Sequence, residues 1–401
     1  MIGPQASEPE FCPNAGCRYH EREAAGACVW YVRFGAFHTR ARGRIQRFRC
    51  RSCGKSCSTQ TFSVHYWSHY TNDLRWLLGQ LYACAGLRQI ARLAGVTHRV
   101  IQNRCRRLAR NALAVMDLAL QGLELGEHVA MDGFESFTRS QYHPNNITHL
   151  CGCHSQFIYA AVHTLVRRKG AMSEKQRQLR AAIDSVWTPS GTIAEQCSEM
   201  LADLAPVLER ACEHRAAAVE LRSDEHPAYR RALRSVASLA RRLEDGTLVH
   251  RRTPSRAART TGNPLFAVNY VDRQLRKNLA EYVRETVRQG REVNSQMERF
   301  SIFMVLHNFL TPHRITDHAR PADYLTHAKV AGLTGSDLDS LLSRMSTHRH
   351  VYTHLGSAQW WIRRIWLHLH ENPPAVKVRR GCVRQRVVSL APAALPRYLL
   401  A

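Results

Sequence analysis

Two aspartates each stand at the end of a short apolar run in this sequence. In Ala218–Tyr229 (AVELRSDEHPAY) the run Val219–Leu221 leads to Asp224, and in His128–Phe134 (HVAMDGF) the apolar run ends at Asp132. A carboxylate at the mouth of a buried strand is costly to desolvate unless a cation binds it. The pattern therefore predicts that Asp132 and Asp224 share a divalent metal ion.

A third carboxylate is expected on a helix that follows these strands. Counted at about 100° per residue, one helical face is apolar. Its members are Val268, Val271, Leu275, Leu279, Val283 and Val287. Asp272 lies in the middle of this face, where an acid needs a partner, whereas Glu281 and Glu285 point away. A salt bridge from Asp272 to Arg276 is the alternative, and Glu298 in the next helix is the rival third acid.

Three carboxylates in this arrangement suit Mg²⁺, or Mn²⁺ in its place. Hard cations prefer oxygen ligands, and Mg²⁺ leaves positions open for phosphate oxygens. Two ions about 3.5–4 Å apart can activate a water or a 3′-hydroxyl and stabilise the leaving oxygen. We expect Asp132, Asp224 and Asp272 to be the catalytic ligands of such ions. The sequence contains no Walker loop, nucleophile elbow or dinucleotide fingerprint that would compete with this prediction.

Four cysteines near the start of the chain have the spacing of a second metal site. They form the pairs of CPNAGC and CRSC, and are Cys12, Cys17, Cys50 and Cys53. This pattern predicts tetrahedral Zn²⁺ in a structural role, because four thiolates leave no open coordination position. Four unrelated buried cysteines are the alternative. Cys57 could replace one ligand, and Cys28 is expected to be packed.

The charge of the chain indicates an anionic partner. Lys and Arg number 57 against 32 Asp and Glu, giving a formal net charge of +25 and a pI near 10.2. Nucleic acid is the commonest partner of such proteins, and an arginine excess favours phosphate and guanine contacts. We expect no membrane span and no secretory signal. The 13 cysteines then indicate reduced thiols in the cytoplasm, on the nucleoid.

The segment GLRQIARLAGVTHRVIQNR predicts two helices joined by a turn at Gly95. The outer face of the second helix is polar and comprises His98, Arg99, Gln102, Asn103, Arg106 and Arg110. This pattern is typical of a helix-turn-helix, whose second helix enters the DNA major groove. Amide side chains suit adenine, and arginines suit guanine or phosphate. An ordinary three-helix unit with a solvated basic face is the alternative.

The elements that must position these residues follow from periodicity. Strands are predicted at Val29–Phe34, Ile45–Arg49, His128–Phe134, twice within Thr148–Val166, at Val219–Leu221 and at Thr247–His250. Helices are predicted within Lys169–Ala217, from about His226 to Leu239, and around Asp272. Strand, hairpin, helix, strand, helix, strand, helix is the order of a ribonuclease-H-like α/β sheet, in which the acids of the first and fourth strands meet.

Four segments follow from these patterns. They are a zinc ribbon at 1–62, an all-helical helix-turn-helix domain at 70–120, a ribonuclease-H-like α/β catalytic domain at 125–315 and an extension of unassigned role at 316–401. Within the extension the sequence predicts an amphipathic helix at Ala358–Leu369 and a basic hairpin at Val376–Val388.

Over roughly residues 10–312 the chain resembles the DDE-type transposases of bacterial insertion sequences. The resemblance is carried by CPNAGC with CRSCGKSC, LRQIARLAGVTHRVIQNR, VAMDGFESF, LRSDEHPAY and NYVDRQLRKNLAEYVR. In such relatives the third acid is typically a glutamate followed by arginine, whereas here Asp272 precedes Arg273, a D-D-D variant. The resemblance implies binding of the element's terminal inverted repeats, Mg²⁺-dependent cleavage, and joining of the 3′ ends to target DNA by a homo-oligomer.

Two other functions fit the same patterns. A metal-dependent nuclease of this fold would cleave DNA without joining strands. A zinc-ribbon and helix-turn-helix regulator, derived from a transposase, would bind DNA without using the acids. Inverted repeats flanking the gene favour the transposase.

Overall fold

The computed structural model describes residues 8–14, 16–66, 68–70, 72–121, 123–189, 191–283, 286–314, 320, 323–334, 336–349, 377–379 and 382–384. Within these ranges the chain is a mixed α/β protein with one three-stranded, one five-stranded and one two-stranded sheet. The predicted helix Ala358–Leu369 lies outside the described residues.

The N-terminal unit is a small antiparallel sheet. After a short helix its three strands follow in order, with bounds α1 Arg22–Gly26, β1 Tyr31–Thr39, β2 Gly43–Cys50 and β3 Ser56–Ser58. The two predicted ribbon strands are confirmed, and β1 extends five residues beyond its predicted end. Phe11, Trp30 and Phe48 pack with the cysteines in a core of their own. So small a core needs a further cross-link to be stable.

Three helices follow, α2 Leu74–Tyr82, α3 Leu87–Leu93 and α4 His98–Gln121, and the last two are the predicted pair joined at Gly95. Asp73 caps α2 by accepting the backbone N–H groups of Arg75 and Trp76. Gly95, with φ of +63°, makes the turn between α3 and α4, a conformation that favours glycine. The helix α4 is 24 residues long, because its apolar positions continue as far as Ala119.

The five-stranded sheet has the order β6-β5-β4-β7-β8. Its strands are β4 Val129–Phe137, β5 Pro144–Gly152, β6 Ile158–Leu165, β7 Val219–Asp224 and β8 Leu248–Thr253. Strands β4, β5 and β6 form an antiparallel meander, whereas β7 runs parallel to β4 and β8 parallel to β7. Every predicted strand of this region is therefore present, and β4 lies at the centre of the sheet.

The helices of this region are α5 Glu174–Asp184, α6 Ile193–His214, α7 Pro227–Ser235, α8 Ala237–Glu244, α9 Phe266–Asn278 and α10 Val293–Leu310. Two predictions of helix length are wrong. The helix expected from His226 to Leu239 is two helices, because Val236 is extended at φ −90° and ψ 105°. The helix that carries Asp272 ends at Asn278 and does not continue to Val287, which is fully exposed.

The helix α10 packs along α4, and from Arg299 to Phe309 it is buried on all sides. Near its end Asn308 reaches the first residue of β6, the edge strand of the sheet. The amide of Asn308 accepts the N–H of Ile158 at 2.8 Å and donates to the carbonyl of Ile158 at 2.9 Å. This pair of hydrogen bonds joins α10 to the sheet.

Beyond α10 the described chain contains two helices and a short hairpin, α11 His327–Val330, α12 Ser336–Thr347, β9 Lys377–Arg379 and β10 Cys382–Arg384. The strands β9 and β10 pair antiparallel, so the hairpin predicted within Val376–Val388 is present over these residues. No helix of the described ranges combines the length and apolar character needed to cross a membrane.

Candidate functional site

The four N-terminal cysteines converge on one point. The sulfur atoms of Cys12, Cys17, Cys50 and Cys53 all lie within 4.8 Å of one another. The Sγ–Sγ distance is 3.6 Å for Cys12 and Cys53, and 3.7 Å for Cys17 and Cys50. Four sulfurs around tetrahedral Zn²⁺ stand about 3.8 Å apart when each Zn–S bond is about 2.3 Å. The cysteine quartet therefore fits a structural metal such as zinc.

Local turns hold the quartet in place. The Cys12 N–H donates to the Tyr19 carbonyl at 2.7 Å, and the Cys50 N–H donates to the Lys55 carbonyl at 2.9 Å. Cys57 lies nearby but outside the quartet, and burial raises the pKa of its thiol to about 12. Cys28 is exposed, so the expectation that it is packed is wrong.

The three predicted acids come from three different elements of the large sheet region. Met131 of β4 pairs with Ser223 of β7, so the next residues along these parallel strands are Asp132 and Asp224. Asp272 lies on α9, which packs against β4 and β5. The two strands and the helix thus bring carboxylates that are far apart in sequence to one region, here called the carboxylate cluster (Asp132, Asp224 and Asp272).

The electrostatics of the carboxylate cluster show that its members interact. The pKa of Asp132 is raised to about 6, chiefly by burial and in smaller part by the charges of Asp224 and Asp272. Burial also raises the pKa of Asp272 to about 7, against the opposing effect of Arg276 and Arg259. The Oδ1 atom of Asp272 is buried and has no hydrogen-bond partner in the described structure. Such a cluster is stabilised by a bound cation.

The LRSDEHPAY segment folds back on the carboxylate cluster. The N–H of His226 donates to Asp224 Oδ1 at 2.8 Å, and the His226 ring caps α7, which begins at Pro227. One turn later the hydroxyl of Tyr229 lies 3.4 Å from Asp132 Oδ1, as its donor. Burial, followed by the charge of Asp132, raises the pKa of Tyr229, so its hydroxyl keeps its proton. The segment therefore contacts two acids at once.

The two alternatives for the third acid occupy other positions. Arg276 lies over the ring of Phe134, 4.7 Å from its centroid, and forms no salt bridge with Asp272 in the described structure. Glu298 forms a salt bridge with Arg106 of α4 at 3.0 Å. Burial raises the pKa of Glu298, and the nearest opposing charges are those of arginines on α4. Glu298 therefore faces α4, whereas Asp272 faces the sheet.

Sequence reasoning missed one residue of this region, His149. It is the register partner of Asp132 on β5, and its Nε2 lies 3.7 Å from Asp272 Oδ1. His149 is fully buried, and burial lowers the pKa of its ring. The uncharged ring of His149 therefore lies next to Asp272 of α9. A histidine inside an apolar strand carries no sequence signal that separates this position from ordinary core packing.

The six residues predicted to contact DNA fall into two groups. His98, Arg99 and Asn103 are exposed. The other three turn towards α10: Gln102 donates to Glu292 at 3.4 Å, Arg106 pairs with Glu298, and Arg110 is half-buried and interacts electrostatically with Glu298. Of these six residues, only those on the first turns of α4 are exposed to solvent.

Two further arginines of α4, which sequence reasoning did not single out, hold the segment that leads from the ribbon. Arg104 donates to Ser68 Oγ at 2.6 Å and to the Tyr70 carbonyl at 2.5 Å. Arg107 donates to the carbonyls of Val64 and Tyr66, each at 2.7 Å. Four hydrogen bonds from one helix therefore fix the segment between ribbon and α2.

Searches of protein-family models, of curated proteins and of solved structures found no match to this chain.

Proposed function

We propose that this chain is a D-D-D transposase, which binds the terminal inverted repeats of its own element and catalyses metal-dependent DNA cleavage and strand transfer. The carboxylate cluster carries the proposal. Three acids that share one electrostatic neighbourhood, two with strongly raised pKa values, are unfavourable without a cation. No arginine or lysine of the described residues forms a salt bridge with Asp272, and its pKa stays raised despite the charges of Arg276 and Arg259.

The sheet topology supports a ribonuclease-H-like catalytic domain. An antiparallel three-strand meander is followed by two parallel strands, and the first strand of the meander lies at the centre. The acids stand on the first strand, at the end of the fourth strand and on the helix after the fifth. This placement is the one that the sequence order of strands and helices predicts for that fold.

The chemistry assigned to the cluster needs Mg²⁺ or Mn²⁺. Asp132, Asp224 and Asp272 would hold the ions, which supply charge stabilisation for an in-line attack on a phosphodiester. The chain's own groups keep the ligands in place. The His226 N–H fixes one oxygen of Asp224, and the Tyr229 hydroxyl and the Gly133 N–H approach Asp132.

The DNA-binding part of the proposal rests on charge and on α4. A net charge of +25 attracts DNA strongly, and His98, Arg99 and Asn103 are exposed at the start of α4. The zinc ribbon would then be a structural domain that is fixed to α4 through Arg104 and Arg107. We further propose a homo-oligomer that assembles on the element ends and the target, in the cytoplasm and on the nucleoid.

The test is junction sequencing in cells that carry the gene with its native flanks. Wild type is compared with Asp224→Asn and with Glu225→Gln, which removes the exposed neighbouring acid as a matched control. We expect new junctions with short target duplications in wild type and in Glu225→Gln, and none in Asp224→Asn. Junctions in Asp224→Asn at the wild-type frequency would refute the catalytic assignment.

Two other outcomes identify the competing functions. Cleavage at the flanks without joined products would indicate a nuclease. Specific binding of the flanks by wild type and Asp224→Asn, with no breaks from either protein, would indicate a DNA-binding regulator.

A further inference from the structure

The hairpin of β1 and β2 is a basic surface. Its residues 31–50 include six arginines and no acidic residue. Seven of the nine residues of β1 are exposed, including Phe34 and Phe37. A strand exposed on both faces in a folded domain is unusual and indicates a partner.

A groove runs between this hairpin and the segment that follows β3. It has a volume of about 1150 Å³ and is called the hairpin groove here. Its polar lining includes Thr39, Arg40, Arg47, Ser58, His69 and Tyr70. Among the described residues that line it, none is an aspartate or glutamate. Guanidinium groups, hydroxyls and aromatic rings without any carboxylate form a surface that complements phosphodiester oxygens.

The arginines of the hairpin differ in whether other groups of the protein bind their guanidinium groups. Arg33 pairs with Glu8, and Arg42 is half-buried with Ser63 as its partner. Arg40 is exposed and has no acidic partner among the residues described. Arg47 lies 5.1 Å from the ring centroid of Phe34, so it is oriented without being neutralised. The two arginines that line the groove, Arg40 and Arg47, therefore remain available to an anionic ligand.

The hairpin groove is linked to the exposed start of α4 by hydrogen bonds of Arg107. The segment that lines it carries Tyr66, whose carbonyl accepts from Arg107 at 2.7 Å. The same arginine donates to Oδ1 of Asn103 at 3.0 Å. One side chain thus joins the groove wall to a residue predicted to contact DNA bases. The groove wall and the exposed start of α4 therefore belong to one hydrogen-bonded network.

We propose that the hairpin groove binds the phosphate backbone of double-stranded DNA next to the stretch that α4 contacts. This inference rests on the proposed DNA-binding function, and it assigns the ribbon a binding role besides its structural one. On α4 itself, Arg106 and Arg110 interact with Glu298 of α10, so few of its positive charges can contact phosphates. The hairpin groove would supply the phosphate contacts that α4 lacks. Phosphate contacts carry no sequence information, so they fix the position of the duplex.

The test measures the salt dependence of DNA binding by the full chain. Arg40→Gln and Arg47→Gln are compared with wild type and with Arg241→Gln, an exposed arginine of α8 without an acidic partner in the described structure. Each is titrated with the native flank duplex and with a random duplex of equal length. The slope of log K against log salt is negative, and loss of one phosphate contact reduces its magnitude by about 0.9. The same loss weakens binding by about 5–10-fold at 0.1 M salt.

We expect this change for each groove variant on both duplexes, and wild-type behaviour for Arg241→Gln. Zinc content and hydrogen exchange of the hairpin verify that the variants are folded. Slopes of the groove variants equal to that of Arg241→Gln would overturn the proposal. Its failure is distinct from failure of the transposase proposal, because binding of random duplex requires neither end recognition nor cleavage.

Discussion

The cysteine quartet and the carboxylate cluster are two candidate metal sites built in opposite ways. The quartet joins two tight turns of one small unit, and its four sulfurs are already at the spacing of a closed tetrahedral site. The cluster joins two strands and a helix, and its acids repel one another. The first arrangement suits an ion that holds a fold together. The second suits ions that are exchanged and keep positions for substrate.

The largest expected effect is loss of the ribbon when the quartet is broken. Cys50→Ser should remove the bound zinc and unfold β1 to β3, because zinc contributes on the order of 10 kcal/mol to so small a unit. Metal analysis and hydrogen exchange of residues 31–50 measure this. Cys57→Ser is the control, since Cys57 is outside the quartet, and it should keep its zinc. Full zinc content in Cys50→Ser would contradict the assignment.

The carboxylate cluster should make stability depend on pH in the opposite sense from a salt-bridged acid, whose pKa is lowered in the folded state. The folded pKa values of Asp132 and Asp272, about 6 and about 7, lie above the usual 3.8. The folded state therefore holds extra protons, and without Mg²⁺ its stability should fall as pH rises from about 4 to about 7. Asp272→Asn should stabilise the Mg²⁺-free protein at pH 7.5 by about 1–3 kcal/mol.

Thermal unfolding of zinc-loaded protein at pH 5 and pH 7.5, with and without Mg²⁺, measures both effects. Added Mg²⁺ should stabilise wild type at pH 7.5 and leave Asp272→Asn unchanged. An equal response of the two proteins to Mg²⁺ would show that Asp272 is not a ligand.

Glu298→Gln separates the rival third acid from the cluster. It removes the charge that pairs with Arg106, and should cost about 1–2 kcal/mol of stability. Because Glu298 faces α4, the stabilisation by Mg²⁺ should stay as in wild type. If Glu298→Gln lost the stabilisation by Mg²⁺ and Asp272→Asn kept it, Glu298 would be the third ligand and Asp272 would not.

The smallest effect is expected for Tyr229→Phe. The hydroxyl approaches Asp132 at the long distance of 3.4 Å, so its removal should change stability by less than about 1 kcal/mol. Joining of flank DNA should slow by up to about tenfold, because Asp132 is less firmly placed. Tyr159→Phe, which removes a buried hydroxyl that contacts Glu127 away from the cluster, should leave the joining rate unchanged.

The strands and the quartet could be predicted from sequence because their signals are local. C-x-x-C spacing and runs of β-branched residues depend on neighbours within a few positions. The end of α9 could not be predicted in this way. Leu279 keeps the helical spacing and is buried, yet the chain leaves the helix there at φ −127° and ψ 95°. Periodicity predicts which positions are buried, but it does not predict which element buries them or where the helix ends.

The surface of α4 shows the same limit. Its stripe of Ile101, Cys105 and Leu108 is buried, and α10 covers a second face, on which Arg106 lies. A signal for this existed, since α10 is apolar on every side and must be enclosed. The sequence predicted that the acids share metal ions, and the register of β4 and β7 places Asp132 and Asp224 at neighbouring positions. His149 enters this region through its pairing with Asp132, which no local pattern reveals.

Asn308 has a consequence for solubility. Edge strands expose backbone groups on which a second copy can add a strand, and proteins need devices that prevent such stacking. The amide of Asn308 offers the edge strand β6 the same donor and acceptor that a neighbouring strand would offer at Ile158. One side chain thereby occupies the place of a foreign strand. Crowded copies of this chain are thus kept from open-ended association at that end of β6.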